Sequence, residues 1–441
     1  MYSFIPYIDK GLEEYKRNKT MSNIMPFKAV YYNIKKVKDM TKVVSPPYDV
    51  ISADEQDRLH NLSPYNFTHI DFGKDLPTDD KTENKYSRAK RIFSEWLAKN
   101  VMIQDEKPCI YFYKQDFKIM GQKYSRMGFV SLLELENDGE SQVFPHENTH
   151  EHAVDDRFKI CESLKSNLSC IFVCYSDKHR KVEKVFERNV VSSDPIVDVV
   201  DDDRVHHTLW RLGDAALIDK VRGAITDRQL FIADGHHRYK VAMEYRNKRM
   251  TRVLNPSGHE PFNYVMTYFT NMDSRGLQIF PMHRIVKQFP QSTEFLEEFF
   301  RIDNVKKRED LSILLARAGR NEHTFGLYTR DGNRLLRLKN KQLIDERMTD
   351  GSREYKNLDA TILKNFVFDR MNIPSEDIIY TRDIDRAMSL VDTHQADAGF
   401  ILNPVKIAEL RAIALNGERM PPKTTYFYPK VLSGLTVYKM D

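Results

Sequence analysis

The sequence predicts a mixed α+β (mixed α/β) fold, and three observations predict it. Strand-like apolar runs, such as 230–233 and 262–270, alternate with helical patterns such as 79–100. Neighbouring strand patterns meet at short turns, around Gly121 and at Asp331-Gly332, which favours antiparallel pairs within mixed sheets. No Gly-x-Gly-x-x-Gly and no Walker loop is present, so a doubly wound nucleotide fold is not expected.

Taken in order, residues 1–24 read as an N-terminal extension without the long apolar core of a secretory signal. The main body divides into residues 25–270 and a C-terminal α/β region, 271–441, packed against it. Pro46 and Pro47 force the 45–49 stretch into a rigid, non-helical loop that can present Ser45, Tyr48 and Asp49 to a pocket. Ser52 and Glu55 form a capping-box pattern at a helix start. Residues 67–72 read as a strand. Tyr86, Ala89, Ile92, Phe93, Trp96 and Leu97 recur at helical spacing and mark a core-facing stripe in a helix over 79–100.

Residues 109–113 and 126–134 read as paired strands. Helices follow at 155–165 and 182–189, with a strand at 167–175 and an extended acidic stretch at 195–203. Residues 205–212 alternate, which puts His206 and His207 on opposite faces of a strand. A helix over 214–223 leads into the apolar run at 230. Beyond the strand 262–270 comes another at 277–284, whose His283 and Arg284 are further pocket candidates. Residues 291–320 read as helical. A hairpin spans 323–339, helices occupy 358–370 and 404–416, and strands occupy 398–402 and 435–439. Residues 420–430 read as a proline-bounded loop.

Balanced charge narrows the function. The 441 residues carry 68 basic and 64 acidic side chains, a net +4, with short basic runs flanked by acids. A nucleic-acid reader normally shows a basic stripe, so no nucleic-acid partner is expected. No run approaches the ~18 apolar residues of a membrane helix. The four cysteines, at 109, 161, 170 and 174, read as buried free thiols of a cytoplasmic protein.

The stretch richest in chemistry is 230–243. An apolar strand ends in Asp234-Gly235, and His236, His237 and Arg238 open a helix. Gly235 can adopt a backbone closed to other residues, and the first helical N–H groups lack intrahelical partners. Arg238 adds a planar fork for phosphate or carboxylate. A strand–Asp-Gly-His-His-Arg–helix unit of this kind is an anion site. A second cluster, His146-Glu147-Asn148-Thr149-His150 followed by His152, fits His-Glu-x-x-His literally. That zinc motif needs a helix, and Asn148 and Thr149 are poor helix formers. A loop presenting His146 and Glu147 to a pocket fits better, with Glu147 as general base or magnesium ligand.

Ile232-Ala233-Asp234-Gly235-His236-His237-Arg238-Tyr239 resembles the signature of the domain-of-unknown-function family 1015. Blocks around Met25-Pro26-Phe27, Ser45-Pro46-Pro47-Tyr48-Asp49, Ser63-Pro64-Tyr65-Asn66, Phe144-Pro145-His146-Glu147 and Met420-Pro421-Pro422-Lys423-Thr424 resemble that family in the same order. The Asp-Gly-His-His-Arg core is also similar to the phosphate box of the ParB/sulfiredoxin superfamily, which includes free-serine kinases. The resemblance implies an enzyme that binds ATP or ADP with Mg2+ and transfers phosphate to a small amino-acid-like metabolite. The expected binding residues are Gly235, His236, His237, Arg238, Ser45, Tyr48, Asp49 and Lys423. The expected catalytic residues are Glu147, Asp234, His146 and His237. Two alternatives stand beside it: a metal-dependent hydrolase using the 146–152 histidines, and a non-catalytic nucleotide sensor.

Overall fold

The computed structural model describes residues 23–136, 141–149, 151–290 and 292–441. They form two compact units. Unit 1 takes the chain to Phe144, then Thr149–Leu277 and Pro429–Asp441, and unit 2 takes Pro145–Asn148 and Gln278–Tyr428. The sequence places one boundary at 270/271. The chain instead changes unit after Leu277, and its last residues return to unit 1 because Val437 pairs with Val30 and Ser433 with Ser45.

Unit 1 is built on a nine-stranded mixed sheet. Its strands are β1 (Ile24–Met25), β2 (Ile110–Ile119), β3 (Gln122–Glu134), β4 (Val143–Phe144), β5 (Ile171–Tyr175), β6 (Val197–Val200), β7 (His206–Leu212), β8 (Leu230–Asp234) and β9 (Tyr264–Asn271). The order is β4-β8-β5-β9-β3-β2-β7-β6, with β1 also on β3. Only β4/β8 and β5/β9 run parallel, and the other pairs are antiparallel. The β2–β3 hairpin turns at Gly121, as its turn chemistry predicts. The unit's longer helices are α1 (Ala53–Leu62), α2 (Lys85–Ala98), α3 (Glu151–Leu164), α4 (Lys181–Asn189), α5 (Ala215–Ile225) and α6 (His236–Met250). Ser52 caps α1 by accepting from Glu55 N, one half of the predicted capping box, while the Glu55 carboxylate accepts from Arg58. The main core packs Phe112, Phe129, Ile171, Val173, Ile232 and Phe269 from five strands against α4 and α5.

Unit 2 holds an antiparallel six-stranded sheet and a two-stranded ribbon. The ribbon is β10 (Gln278–Pro281) with β17 (Thr425–Tyr428). The sheet runs β12-β14-β13-β16-β11-β15, from β11 (His283–Val286), β12 (Phe300–Val305), β13 (Thr324–Thr329), β14 (Gly332–Leu338), β15 (Ile378–Thr381) and β16 (Ala398–Ile401). Adjacent residues Ile285 and Val286 belong to different core clusters, so both faces of this sheet are covered. Helix α7 (Asp310–Ala318) and helix α9 (Ile384–Asp392) pack on the Ile285 side, and helix α8 (Asp359–Leu363) packs on the Val286 side.

Several segments differ from the reading of the sequence. Residues Thr68–Asp71 form a helical turn, not a strand, because Asn66 Oδ1 accepts from Thr68 N at 3.1 Å and starts the turn locally. Phe300–Val305 is a strand within a stretch whose apolar spacing reads as helix. Pairing with Gly332–Leu338 satisfies its backbone and overrides local preference. The expected strand at 277–284 breaks at Met282 and feeds two sheets. The loop at 420–430 contains β17, and the helix expected at 404–416 is α10 (Ile407–Leu415). The helix expected over 358–370 widens after Leu363, where Asp369 N bonds Lys364 O five residues back. The four cysteines are free and buried. Among the described residues, no helix is long and apolar enough to cross a membrane.

Candidate functional site

β8 is apolar and buried from Leu230 to Ala233, which leaves Asp234 as the first polar group at its carboxyl end. The turn depends on Gly235, whose φ is 85°. A Cβ there would also lie 3.1 Å from the Arg238 guanidinium and from Ile171 Cα. The 15-residue α6 starts at once, with no side-chain cap and no acid in its first turn. Its opening amides have no carbonyl a turn earlier to bond, so the helix presents its positive end beside Asp234.

Arg238 folds back along the first turn. Its Nη2 lies 3.5 Å from Asp234 Oδ2, and Nη1 donates to Cys170 O. The Lys430 ammonium approaches the same carboxylate oxygen to 3.2 Å. Burial works to raise the Asp234 carboxyl, but Lys430, Arg238 and His236 outweigh it and hold the group well below the usual carboxylate range. A carboxylate held this firmly ionised is a weak base and a good ligand for a cation.

The proline loop meets this centre. Arg238 lies in the field of Asp49, Tyr48 and Asp71 as well as Asp234. Behind it, Arg157 stacks on Tyr48, 4.1 Å from the ring centroid. Arg157 Nη1 donates to Asp71 O at 2.6 Å and to Asp71 Oδ1 at 3.1 Å, while Nη2 donates to Asp156 Oδ2 at 2.6 Å. Burial pushes the Asp71 carboxyl up and the two arginines oppose it. Burial also works to raise Asp156, but Arg157, Lys85 and Tyr86 bring it down to about 2. Three cations and four carboxylates therefore interlock around Tyr48: Arg157, Arg238 and Lys430 against Asp49, Asp71, Asp156 and Asp234. A cavity of about 40 Å³ lies among Asp71, Arg157, Arg238, Cys161 and Asn167. That is room for water-sized occupants, so a nucleotide would need the outer side of the turn.

Ser45, Tyr48, Asp49, Asp234, Gly235, His236, His237 and Arg238 all fall in unit 1. Ser45 is buried, and its backbone pairs with Ser433. His236 is buried at the first position of α6, and His237 follows it half-buried. Lys430, Arg157, Asp71 and Asp156 were not singled out by the sequence. Lys430 stands at the end of the proline-bounded 420–430 loop, in which the sequence points to Lys423, and Asp156-Arg157 reads as an ordinary charged helix start.

His146, Glu147 and Lys423 fall in unit 2, where they meet one another. Glu147 Oε1 accepts from Lys423 N at 3.3 Å, and Glu147 bridges Met420 in parallel. His146 O accepts from Met420 N at 2.7 Å, and His146 Nε2 lies 3.4 Å from Thr425 Oγ1. Residues 146–149 are not helical, so the helical face needed by a His-Glu-x-x-His zinc site does not form. His150 lies outside the described residues, and His152 is exposed on α3. Among the described residues no group of three or more metal-binding side chains gathers. His283 and Arg284, also in unit 2, are strand neighbours and point to opposite faces. His206 and His207 separate as the alternation predicts: His206 bonds the exposed Asp198, and His207 is buried between Tyr113 and Asp201.

The family model described as "Protein of unknown function (DUF1015)" matches residues 24–361. Among solved structures, a conserved hypothetical protein from Pyrococcus furiosus is similar at 12% identity and a TM-score of 0.34, covering 67% of this chain and 92% of that one. A free serine kinase in complex with AMP is similar at 14% identity and a TM-score of 0.35, covering 65% and 83%. SbnI with a C-terminal truncation, from Staphylococcus aureus, is similar at 11% and 0.36, covering 69% and 85%. No curated protein matches the sequence.

Proposed function

The chain belongs to that family of unknown function, and from this premise we propose that unit 1 binds the phosphate of a nucleotide at the start of α6 and transfers phosphate to a small amino-acid-like metabolite. The observation that carries the reading is the Gly235 turn. It sets a long helix directly on the end of a buried strand, with Arg238 and Lys430 converging beside the helix's positive end. Phosphoryl transfer needs mainly positioning and charge stabilisation, which amides, a guanidinium and an ammonium supply.

Lys430 is already neutralised by Asp234, so an arriving phosphate competes with that carboxylate for the ammonium. A magnesium ion suits such a centre, because it binds through one or two carboxylates and the substrate's own phosphates. Asp234 and Asp49 would hold it, and it would supply neutralisation of phosphate charge.

The test is a melting-temperature screen with ATP, ADP, CTP, GTP and AMP, with and without magnesium, on wild type and Lys430→Ala. A nucleotide at a hundred times its Kd stabilises the fold by about 2.7 kcal/mol. Stabilisation by one nucleotide, weakened at least tenfold in Lys430→Ala, supports the reading and justifies an acceptor screen. No response, or equal responses in both proteins, overturns it.

A further inference from the structure

Arg284 stands on β11, one strand in from the edge strand β15 of the six-stranded sheet. It is 3% exposed. Its Nη1 donates to Met282 O at 2.9 Å, and its guanidinium lies 5.6 Å from the Tyr380 ring centroid. Tyr380 and Phe400 are its cross-strand neighbours on the two sides. No carboxylate reaches ion-pair distance of it among the described residues. The acid whose field it feels is Asp359, and Asp359 Oδ1 is engaged by His323 Nδ1 at 2.8 Å. Burial pushes the Arg284 guanidinium down to about 10, against the pull of Tyr380 and Asp359.

A guanidinium has five N–H donors in a fork matched to an oxyanion. Burying its charge without a counter-charge is costly, and an apolar side chain of similar volume would be more stable there. Such a residue is the kind of destabilising feature that binding sites retain. On α8, whose first residue is the Asp359 that Arg284 feels, Thr361 Oγ1 is buried with no hydrogen-bond partner among the described residues. Tyr380, on the edge strand, is half-buried, and its ring lies beside the Arg284 guanidinium.

We infer that Arg284 anchors a second oxyanion site, in unit 2, which takes the carboxylate or phosphate group of a small ligand entering past Tyr380. The fork supplies paired hydrogen bonds, and the aromatic surroundings strengthen them by excluding water. The site is separate from the α6 turn and does not depend on the function proposed for it.

The experiment follows the melting midpoint of the full chain against inorganic phosphate and against malonate, at constant ionic strength held with chloride. Four proteins are compared: wild type, Arg284→Met, Arg284→Lys and Lys430→Ala. The expected result is a dose-dependent rise in Lys430→Ala, where the α6 turn is weakened, and a wild-type rise that shrinks in Arg284→Met to whatever part the α6 turn supplies. Arg284→Lys keeps the charge without the fork, and its half-saturating concentration rises at least tenfold. Without anion, Arg284→Met melts at or above wild type. The anion that acts tells a phosphorylated ligand from a carboxylate. No response in wild type, equal responses in wild type and Arg284→Met, or a response lost only in Lys430→Ala each overturns the inference. So does an anion-free Arg284→Met that melts well below wild type or fails to fold, because the guanidinium would then serve the fold itself.

Discussion

Arg238 on α6 of unit 1 is largely enclosed and Arg284 on β11 of unit 2 is buried, yet their surroundings are opposite. Arg238 is enclosed by Asp234, Asp49 and Asp71, with Tyr48 and Lys430 in the same network. Arg284 meets a carbonyl and an aromatic ring, and its nearest influential acid already serves a histidine. The contrast teaches that a buried guanidinium has two distinct uses. Compensated, it fixes loops and helices in place; uncompensated, it is held ready for a charge from outside. Arg157 marks the compensated extreme, because Asp71 and Asp156 account for its strongest donors.

The largest effect expected from this contrast is at Arg157. Arg157→Met leaves Asp71 buried without its ion-pair partner, while Asp156 keeps Lys85, and breaking a buried pair in this way costs about 3–5 kcal/mol. Chemical denaturation checks it. The same replacement at Arg284 strands no carboxylate, so equal losses at the two positions would erase the distinction between them.

Next in size is the acid response of unit 2. Burial first, then the neighbouring Arg284, bring His283 down to about 4, so it stays neutral in the fold. The unfolded chain, with an ordinary histidine, takes up the proton first as pH falls. Stability is therefore full above about pH 6.5 and declines as pH drops toward 4, by up to about 3 kcal/mol from this group. His283→Gln should flatten that part of the pH–stability curve. A curve of unchanged slope would show that His283 is not buried as described. Asp156 behaves as a depressed carboxylate: its contribution is present above about pH 4 and is lost as pH falls toward 2.

A smaller loss is expected at the turn that sets the first site. Gly235→Ala must hold a side chain at φ 85° and displace a guanidinium 3.1 Å from the new Cβ, a strain of about 1–3 kcal/mol. Nucleotide affinity should fall with it, if the turn positions the phosphate. The smallest change belongs to a solvated arginine. Arg58 reaches Glu55 and Asp202 at 2.6 Å each, but all three side chains are substantially exposed. Arg58→Ala should shift stability by under about 1 kcal/mol, which sets the baseline for the buried arginines.

Much of this architecture was legible in the sequence wherever local chemistry decides it. The hairpin at Gly121, the Ser52 cap, the Asp331-Gly332 turn and the strand–turn–helix at Gly235 all follow from turn residues and apolar period. The family blocks around Tyr48 and Arg238 do meet in unit 1. The misread segments are those that a distant partner decides. Phe300–Val305 is a strand because Gly332–Leu338 lies beside it, and no feature of its own apolar spacing announces that neighbour.

The sequence by itself determined the mixed α+β class, most elements and the presence of a glycine-led helix start carrying His236, His237 and Arg238. Only the tertiary structure decided which charges are cancelled. Asp71 and Arg157 stand 86 residues apart, and Lys430 comes from the far end of the chain to reach Asp234. Periodicity and turn preference are properties of neighbouring residues along the backbone. Compensation of a buried charge depends on distance through space, and folding alone sets it.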